Sequence, residues 1–253
     1  MKTVLITGAS SGIGQATARA LSADGHKLIL CGRRQERLEA LAEELSPKSD
    51  CEILVFDVRF RESVNTAIQS LPHTHRKIDI LINNAGNAHG LDPIDQGSHE
   101  DWDAMIDINV KGLLYVTQAV LPHMLEQEHG HIINIGSTAG KEVYPNGNVY
   151  CASKHAVDAL NQGMRMDLFK KGIRVGAVNP GLVETEFSNV RFKGDKNRAT
   201  PVYQGYKALQ PEDIADIIKF VVTRPFHVNI ADLVVMPSAQ ASSTMLDKMQ
   251  SSS

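Results

Sequence analysis

Cysteine is scarce in this 253-residue chain. Cys31, Cys51 and Cys151 are odd in number and form no Cys-x-x-Cys pair, which excludes a disulfide framework and a zinc ribbon. Reduced thiols and a cytoplasmic location are the expectation. Aromatic residues make up only 5% of the sequence, so a core must be built from aliphatics. Excess charge is small: a formal −3 gives no electrostatic reason to expect nucleic acid or an anionic membrane as partner. Long apolar runs are missing as well, since nothing approaches the roughly 20 apolar residues of a membrane span. The opening Met1-Lys2-Thr3-Val4-Leu5-Ile6 is too short for a secretory leader. No His, Cys and carboxylate set has zinc-like spacing, so His73, His75, His129 and His131 read as solvated loop histidines and no metal is expected. Neither repeat nor linker interrupts the chain, which points to a single domain over residues 1–253 that handles small diffusible ligands.

What is present is an alternation of short aliphatic runs and helix-forming stretches. Val4–Ile6, Lys27–Cys31, Glu52–Phe56, Ile78–Ile82, His131–Ile135, Arg174–Val178 and Ala231–Pro237 read as strands. Between them, residues 15–24, 35–45, 102–127, 150–170 and 211–223 carry helical patterns, with Pro122 placed to bend the third. Such an order predicts an α/β fold, a Rossmann-like doubly wound parallel sheet flanked by helices. Residues 182–210 show no sustained periodicity and are expected to form a substrate lid. The tail, 238–253, is expected to fray or to dock on a neighbouring subunit.

Three stretches carry chemistry. Thr7-Gly8-Ala9-Ser10-Ser11-Gly12-Ile13-Gly14 joins the first strand to the first helix. Glycines there let the backbone approach a phosphate, and the helix N-terminus supplies free N–H groups. The spacing is Gly-x-x-x-Gly-x-Gly and lacks the Gly-Lys-Ser/Thr ending of a nucleotide triphosphatase loop, so dinucleotide binding is the functional reading and a plain turn the structural one. Arg33 and Arg34 follow the second strand, where an acidic residue would select NAD. A guanidinium fork suits a 2′-phosphate and favours NADP, unless both are only solvated loop charges. Asp57 after the third strand is placed either to meet the adenine or to cap the next helix. Asn83-Asn84-Ala85-Gly86 is small enough to admit a planar ring or ribose. Finally, Tyr150-Cys151-Ala152-Ser153-Lys154 sets a phenol and an ammonium four residues apart on one helix face. A nearby ammonium favours the phenolate and draws the phenol toward the range useful for proton transfer. Taken alone, a Tyr and a Lys at this spacing are far more often a solvated helix face. Ser137 ends the fifth strand, and Asn109 falls within a helix as either a buried structural hydrogen-bonder or the holder of a water.

In their order and spacing, Gly8-x-x-x-Gly12-x-Gly14, Asn83-Asn84-Ala85-Gly86, Asn109, Ser137, Tyr150-x-x-x-Lys154 and Pro180-Gly181 resemble the short-chain dehydrogenases/reductases over essentially the whole chain. The resemblance implies NADP(H)-dependent hydride transfer at a carbonyl or alcohol. Tyr150 would be the general acid and base, and Ser137 would hydrogen-bond the reacting oxygen. Lys154 would bind the nicotinamide ribose, and Asn109 would hold a proton-relaying water. Carried over in the same way, Gly8, Ser10, Ser11, Gly12, Ile13, Arg33, Arg34, Asp57, Val58, Asn84, Ala85, Gly86, Tyr150, Lys154, Pro180, Gly181, Val183 and Thr185 would contact the cofactor. A homotetramer paired through the helices of residues 101–127 and 150–170 would be expected.

A narrower resemblance rests on residues 31–38 (Cys31-Gly32-Arg33-Arg34 onward), on Ile135-Gly136-Ser137-Thr138-Ala139-Gly140 and on residues 185–195, which include Arg191. These are similar to NADP-dependent 3-hydroxy acid dehydrogenases, among them serine and allo-threonine dehydrogenases, and to a related branch that reduces sulfoacetaldehyde to isethionate. The implied substrates are small and anionic, and would bind at Ser137, Tyr150 and Arg191, with Lys193 and Arg198 as further countercharges. A catalytically idle NADP-binding sensor is the alternative from another class.

Overall fold

In a computed structural model that describes residues 1–248, strands β1 (Thr3–Thr7), β2 (Lys27–Gly32), β3 (Cys51–Val55), β4 (Ile80–Asn83), β5 (Gly130–Ile135), β6 (Ile173–Pro180) and β7 (Asp232–Val235) pair in parallel. They lie in one sheet in the order β3-β2-β1-β4-β5-β6-β7. Helices α1 (Gly12–Ser22), α2 (Gln35–Leu45), α3 (Arg61–Gln69), α4 (His99–Ile106), α5 (Leu113–Glu126), α6 (Asn148–Leu168), α7 (Phe187–Arg191), α8 (Lys196–Ala199) and α9 (Pro211–Val222) connect or cover them.

Continuous aliphatic strands bury both faces, because successive side chains point to opposite sides of a sheet. Val4 and Ile6 of β1 pack with Leu28 and Leu30 of β2, under Leu21, Leu38 and Ile218 of α1, α2 and α9. Their neighbours Leu5 and Ile29 face the opposite layer, with Val64, Ile68, Val120 and Met124 of α3 and α5. Each such fully buried Leu or Ile contributes about 1.5–3 kcal/mol relative to exposure. From β1 the chain first winds outward through β2 and β3, then returns to β4 and winds the other way. The carboxyl ends of β1 and β4 therefore border the crevice where α/β sheets bind ligands. Thr7 closes this seam: its hydroxyl donates to the Ile82 carbonyl and accepts from the amides of Asn84 and Ala85 at 3.0 and 2.9 Å.

The single helix expected over residues 102–127 is instead α4, a π-helical turn at Asp107–Gly112, and α5, which runs through Pro122 without ending there. A π turn adds a residue to the helical repeat and re-aims the side chains around it. By length and composition alone the 28 residues His99–Glu126 pass as a candidate membrane span, a test that a buried core helix also passes. Here Met105, Ile108, Val116, Val120 and Met124 from this stretch are buried in the protein core.

Two histidines also depart from expectation. His131 is inside β5 and His75 is buried beside the Asp50 carboxylate at 3.7 Å. The solvated reading fails for both because their side chains are buried, although His131 does lie in the strand expected over His131–Ile135. No cluster of His, Cys and acidic residues able to hold a metal occurs among the described residues.

Residues 182–210 are more ordered than their pattern implies. Their two ends meet, with Glu184 N donating to the Leu209 carbonyl and Leu209 N to that of Leu182, and α7 and α8 lie between. The described part of the tail folds back on its own chain: Gln240 accepts from Leu182 N, Ser243 N donates to Glu142, and Lys248 donates to the Pro201 carbonyl. Residues 249–253 lie outside the described part.

Candidate active site

A cavity of about 540 Å³ opens over the carboxyl ends of the strands. Of the catalytic and cofactor-contacting residues named from the sequence, all but Asn109 line it, as does Arg191. At its floor, Gly8 and Gly12 have φ of +67° and +52°, a conformation that favours glycine. A Cβ on Gly14 would stand 2.4 Å from the Gly8 carbonyl oxygen, so the turn closes onto α1 only without one. Ser11, at the N-cap of α1, makes no side-chain cap, and the first turn carries no acidic residue. The free amides and the positive end of the helix are left for an anion.

Two arginines stand beside this turn. Arg34 is braced by Ser10 Oγ at 3.0 Å and Ser11 Oγ at 2.6 Å, and its Nη1 meets Glu186 at 2.9 Å. Arg33 is mostly exposed, 3.6 Å from Asp57. Asp57 does not cap α3, whose N-cap is Phe60; it accepts instead from the Arg59 backbone and guanidinium. Burial works against its charge, but those hydrogen bonds and the nearby Arg33 hold its carboxyl below the usual range. Glycine turn, uncapped helix and paired guanidinia together fit the pyrophosphate and 2′-phosphate of NADP.

Tyr150 and Lys154 arise from the buried stripe of α6, which continues through Val157 and Asn161. Lys154 Nζ donates 2.9 Å to the Ile135 carbonyl at the end of β5, and burial lowers its pKa to about 8. Burial pushes the Tyr150 phenol above the ordinary tyrosine range and the neighbouring Tyr144 adds to this, while a hydrogen bond with Ser137 and the Arg191 charge draw it back. Lys154 is not among the groups that shift the phenol, so the lowering expected of it comes from Ser137 and Arg191 instead. A phenol in this environment is protonated at neutral pH and can donate its proton.

Asn109 sits behind the cavity in the π turn, 2% exposed. Its Oδ1 accepts from Asn87 N at 2.8 Å, and its Nδ2 donates to the Asn87 carbonyl at 2.8 Å and to Ser153 Oγ at 3.0 Å. The loop after β4 is thereby tied to the helix that carries Tyr150 and Lys154.

The lid supplies the remaining wall. Arg191 lies 5.6 Å from the ring centroids of both Tyr144 and Tyr150, and donates to the Gly90 carbonyl and to Tyr144 Oη. Among the described residues it has no carboxylate partner. Lys193 and Arg198, the other expected countercharges, are paired with Asp101 and Asp92 and do not line the cavity. Glu142 is outside it too, bound to Ser243 N. The sequence reading missed Tyr144, whose only signal was an aromatic six residues before Tyr150. It also missed Phe187, with its ring 5.7 Å from that of Tyr150, and Gln240 from the tail.

The same arrangement connects the chain to known proteins. A family model described as short chain dehydrogenase matches residues 2–196. The NADP-dependent 3-hydroxy acid dehydrogenase YdfG of Escherichia coli (strain K12) is 50% identical over 239 residues, covering 94% of this chain and 96% of that protein. Sulfoacetaldehyde reductase 2 of Chromohalobacter salexigens is 46% identical over 239 residues, covering 94% and 95%. Among solved structures, the closed form of serine dehydrogenase complexed with NADP+ superposes with a TM-score of 0.93 at 48% identity, covering 98% of this chain and 100% of that one. With a matching family model over most of its length and half its residues shared with such a relative, the chain belongs to the short chain dehydrogenase family.

Proposed function

We propose that the chain is an NADP(H)-dependent oxidoreductase interconverting a small anionic hydroxy compound, a 3-hydroxy acid such as serine, allo-threonine or 3-hydroxypropionate, and its carbonyl partner. The observation that carries the anionic part is Arg191, a guanidinium with no carboxylate partner among the described residues, set against the Tyr150 ring in the same cavity as Arg33 and Arg34. NADP(H), when bound, supplies or accepts the hydride. In reduction Tyr150 gives its proton to the substrate oxygen and in oxidation it takes one. Ser137 hydrogen-bonds that oxygen, so developing charge meets a proton and a donor. Lys154 holds the ribose hydroxyls. Asn109 has both amide hydrogens and its oxygen engaged, so we assign it the positioning of Asn87 and Ser153 around Lys154, and with them any relaying water.

A sulfonate would meet Arg191 as a carboxylate does, and the 46% identity to a sulfoacetaldehyde reductase makes that substrate the second reading. The test is a spectrophotometric panel with NADP and NAD, using serine, 3-hydroxypropionate, 3-hydroxyisobutyrate, isethionate and their carbonyl partners, on wild type and Arg191→Gln. A 3-hydroxy acid turned over with NADP, and a KM raised about 10- to 100-fold in Arg191→Gln, is expected for a lost charge-assisted contact. Turnover of the isethionate pair alone would select the second reading. NADP binding without turnover anywhere in the panel would revive the sensor. The same reading takes the working form as a cytoplasmic homotetramer, with exposed Leu114 and Met166 of α5 and α6 available at its interfaces; a monomer in sedimentation velocity would end that part.

A further inference from the structure

Arg34, the arginine braced against the phosphate turn, already holds a carboxylate. Glu186 Oε2 accepts from Arg34 Nη1 at 2.9 Å, while Arg37 Nη1 reaches Glu186 Oε1 at 2.8 Å and Oε2 at 3.1 Å. Arg34 and Glu186 line the cavity, whereas Arg37 does not. Glu186 therefore lies between one arginine inside the cofactor site and another outside it. Hydrogen bonds from Arg37 and Arg34, with their charges, hold its carboxyl below the usual range. Glu186 also opens α7: its carbonyl accepts from Val190 N, and the next residues of that helix are Phe187 and, at its end, Arg191 against Tyr150.

A carboxylate on this guanidinium and a phosphate dianion on the same guanidinium oppose each other. From this geometry, and resting on the NADP(H) reading above, we propose that Glu186 moderates the preference for NADP(H) by sharing Arg34 with the 2′-phosphate, and that Arg37 serves to draw Glu186 aside when the phosphate binds. NAD(H) lacks that phosphate, so its binding does not involve Glu186. The groups are half-exposed, and each link between such groups changes binding by no more than about fivefold. Because Glu186 begins the helix that ends at Arg191, the phosphate site and the substrate wall are joined by a single helix.

The experiment is a fluorescence titration of NADPH and NADH on wild type, Glu186→Gln, Arg37→Gln and the double variant. Glu186→Gln is expected to tighten NADPH about three- to fivefold and to leave NADH within twofold. Arg37→Gln is expected to weaken NADPH, since Glu186 then rests on Arg34 alone, and this loss should vanish in the double variant, a non-additive cycle. Equal changes for both cofactors would show Glu186 to be merely structural and would overturn the proposal, as would no change at all. A loss from Arg37→Gln that persists without Glu186 would mean that Arg37 meets the phosphate itself, and would also overturn it. A wild type with no preference for NADPH over NADH would instead defeat the underlying NADP reading, whatever Glu186 does.

Discussion

Tyr150 and Lys154 lie four residues apart on the buried face of α6, and burial moves their proton affinities in opposite directions, the phenol upward and the ammonium down to about 8. The helical spacing was legible in the sequence, but the burial was not, because it comes from β5 and the lid, both outside the helix, and from Tyr144, whose turn back onto Tyr150 no local pattern disclosed. His131 makes the same point. Its place in the fifth strand was legible but its burial was not, and it sits in β5 with neither ring nitrogen bonded among the described residues. Burial, with Arg174 and Lys2 nearby, lowers its pKa to about 3. The unfolded chain binds a proton there from about pH 6.5 downward, while the folded chain refuses it until about 3. Stability is therefore undiminished by this group above about pH 6.5 and declines as pH falls through that window, by up to about 1.4 kcal/mol per pH unit. Urea unfolding at pH 7 and pH 4.5 is expected to show a smaller acid loss in His131→Leu than in wild type, by on the order of 2 kcal/mol. Equal acid losses would show that His131 is not the group responsible.

The strands were readable element by element because a strand buried on both faces writes its environment into a local apolar run, as Val4-Leu5-Ile6 and Leu28-Ile29-Leu30 do. The lid was not, since what orders it is distant pairing: Leu182 and Glu184 with Leu209, and Arg191 with Gly90. Nor did the apolar period around Asn109 disclose the π turn at Asp107–Gly112, because a one-residue widening barely alters a hydrophobic pattern. That turn carries Asn109 to Asn87 and Ser153, which makes it the brace between the β4 loop and α6. Asn109→Ala removes three hydrogen bonds and leaves buried Asn87 backbone groups unpaired, which is expected to cost about 1–3 kcal/mol in unfolding free energy. It should also lower kcat more than it raises the Kd for NADPH. Full stability with full kcat would show that the brace is not needed.

At the scale of the molecule, one sheet with a reversal between β1 and β4 gathers the glycine turn, the two arginines, Ser137 and the Tyr150–Lys154 pair around one cavity. The doubly wound parallel sheet followed from the alternation of elements. The closing wall did not, because Gln240 comes from a polar tail with no periodicity and reaches the cavity by accepting from Leu182 N. From the described part of the tail, residues 238–248, Gln240 and Ser243 line the cavity of their own chain. The proposed chemistry is transfer of a proton through Tyr150 in this cavity while NADP(H) moves the hydride. Its most direct test is single-turnover oxidation of pre-bound NADPH by the carbonyl substrate that the panel identifies, in wild type and Tyr150→Phe. Loss of the proton donor predicts a rate lower by about 10²- to 10⁴-fold with the Kd for NADPH unchanged; a Tyr150→Phe enzyme that oxidises NADPH at the wild-type rate would contradict it.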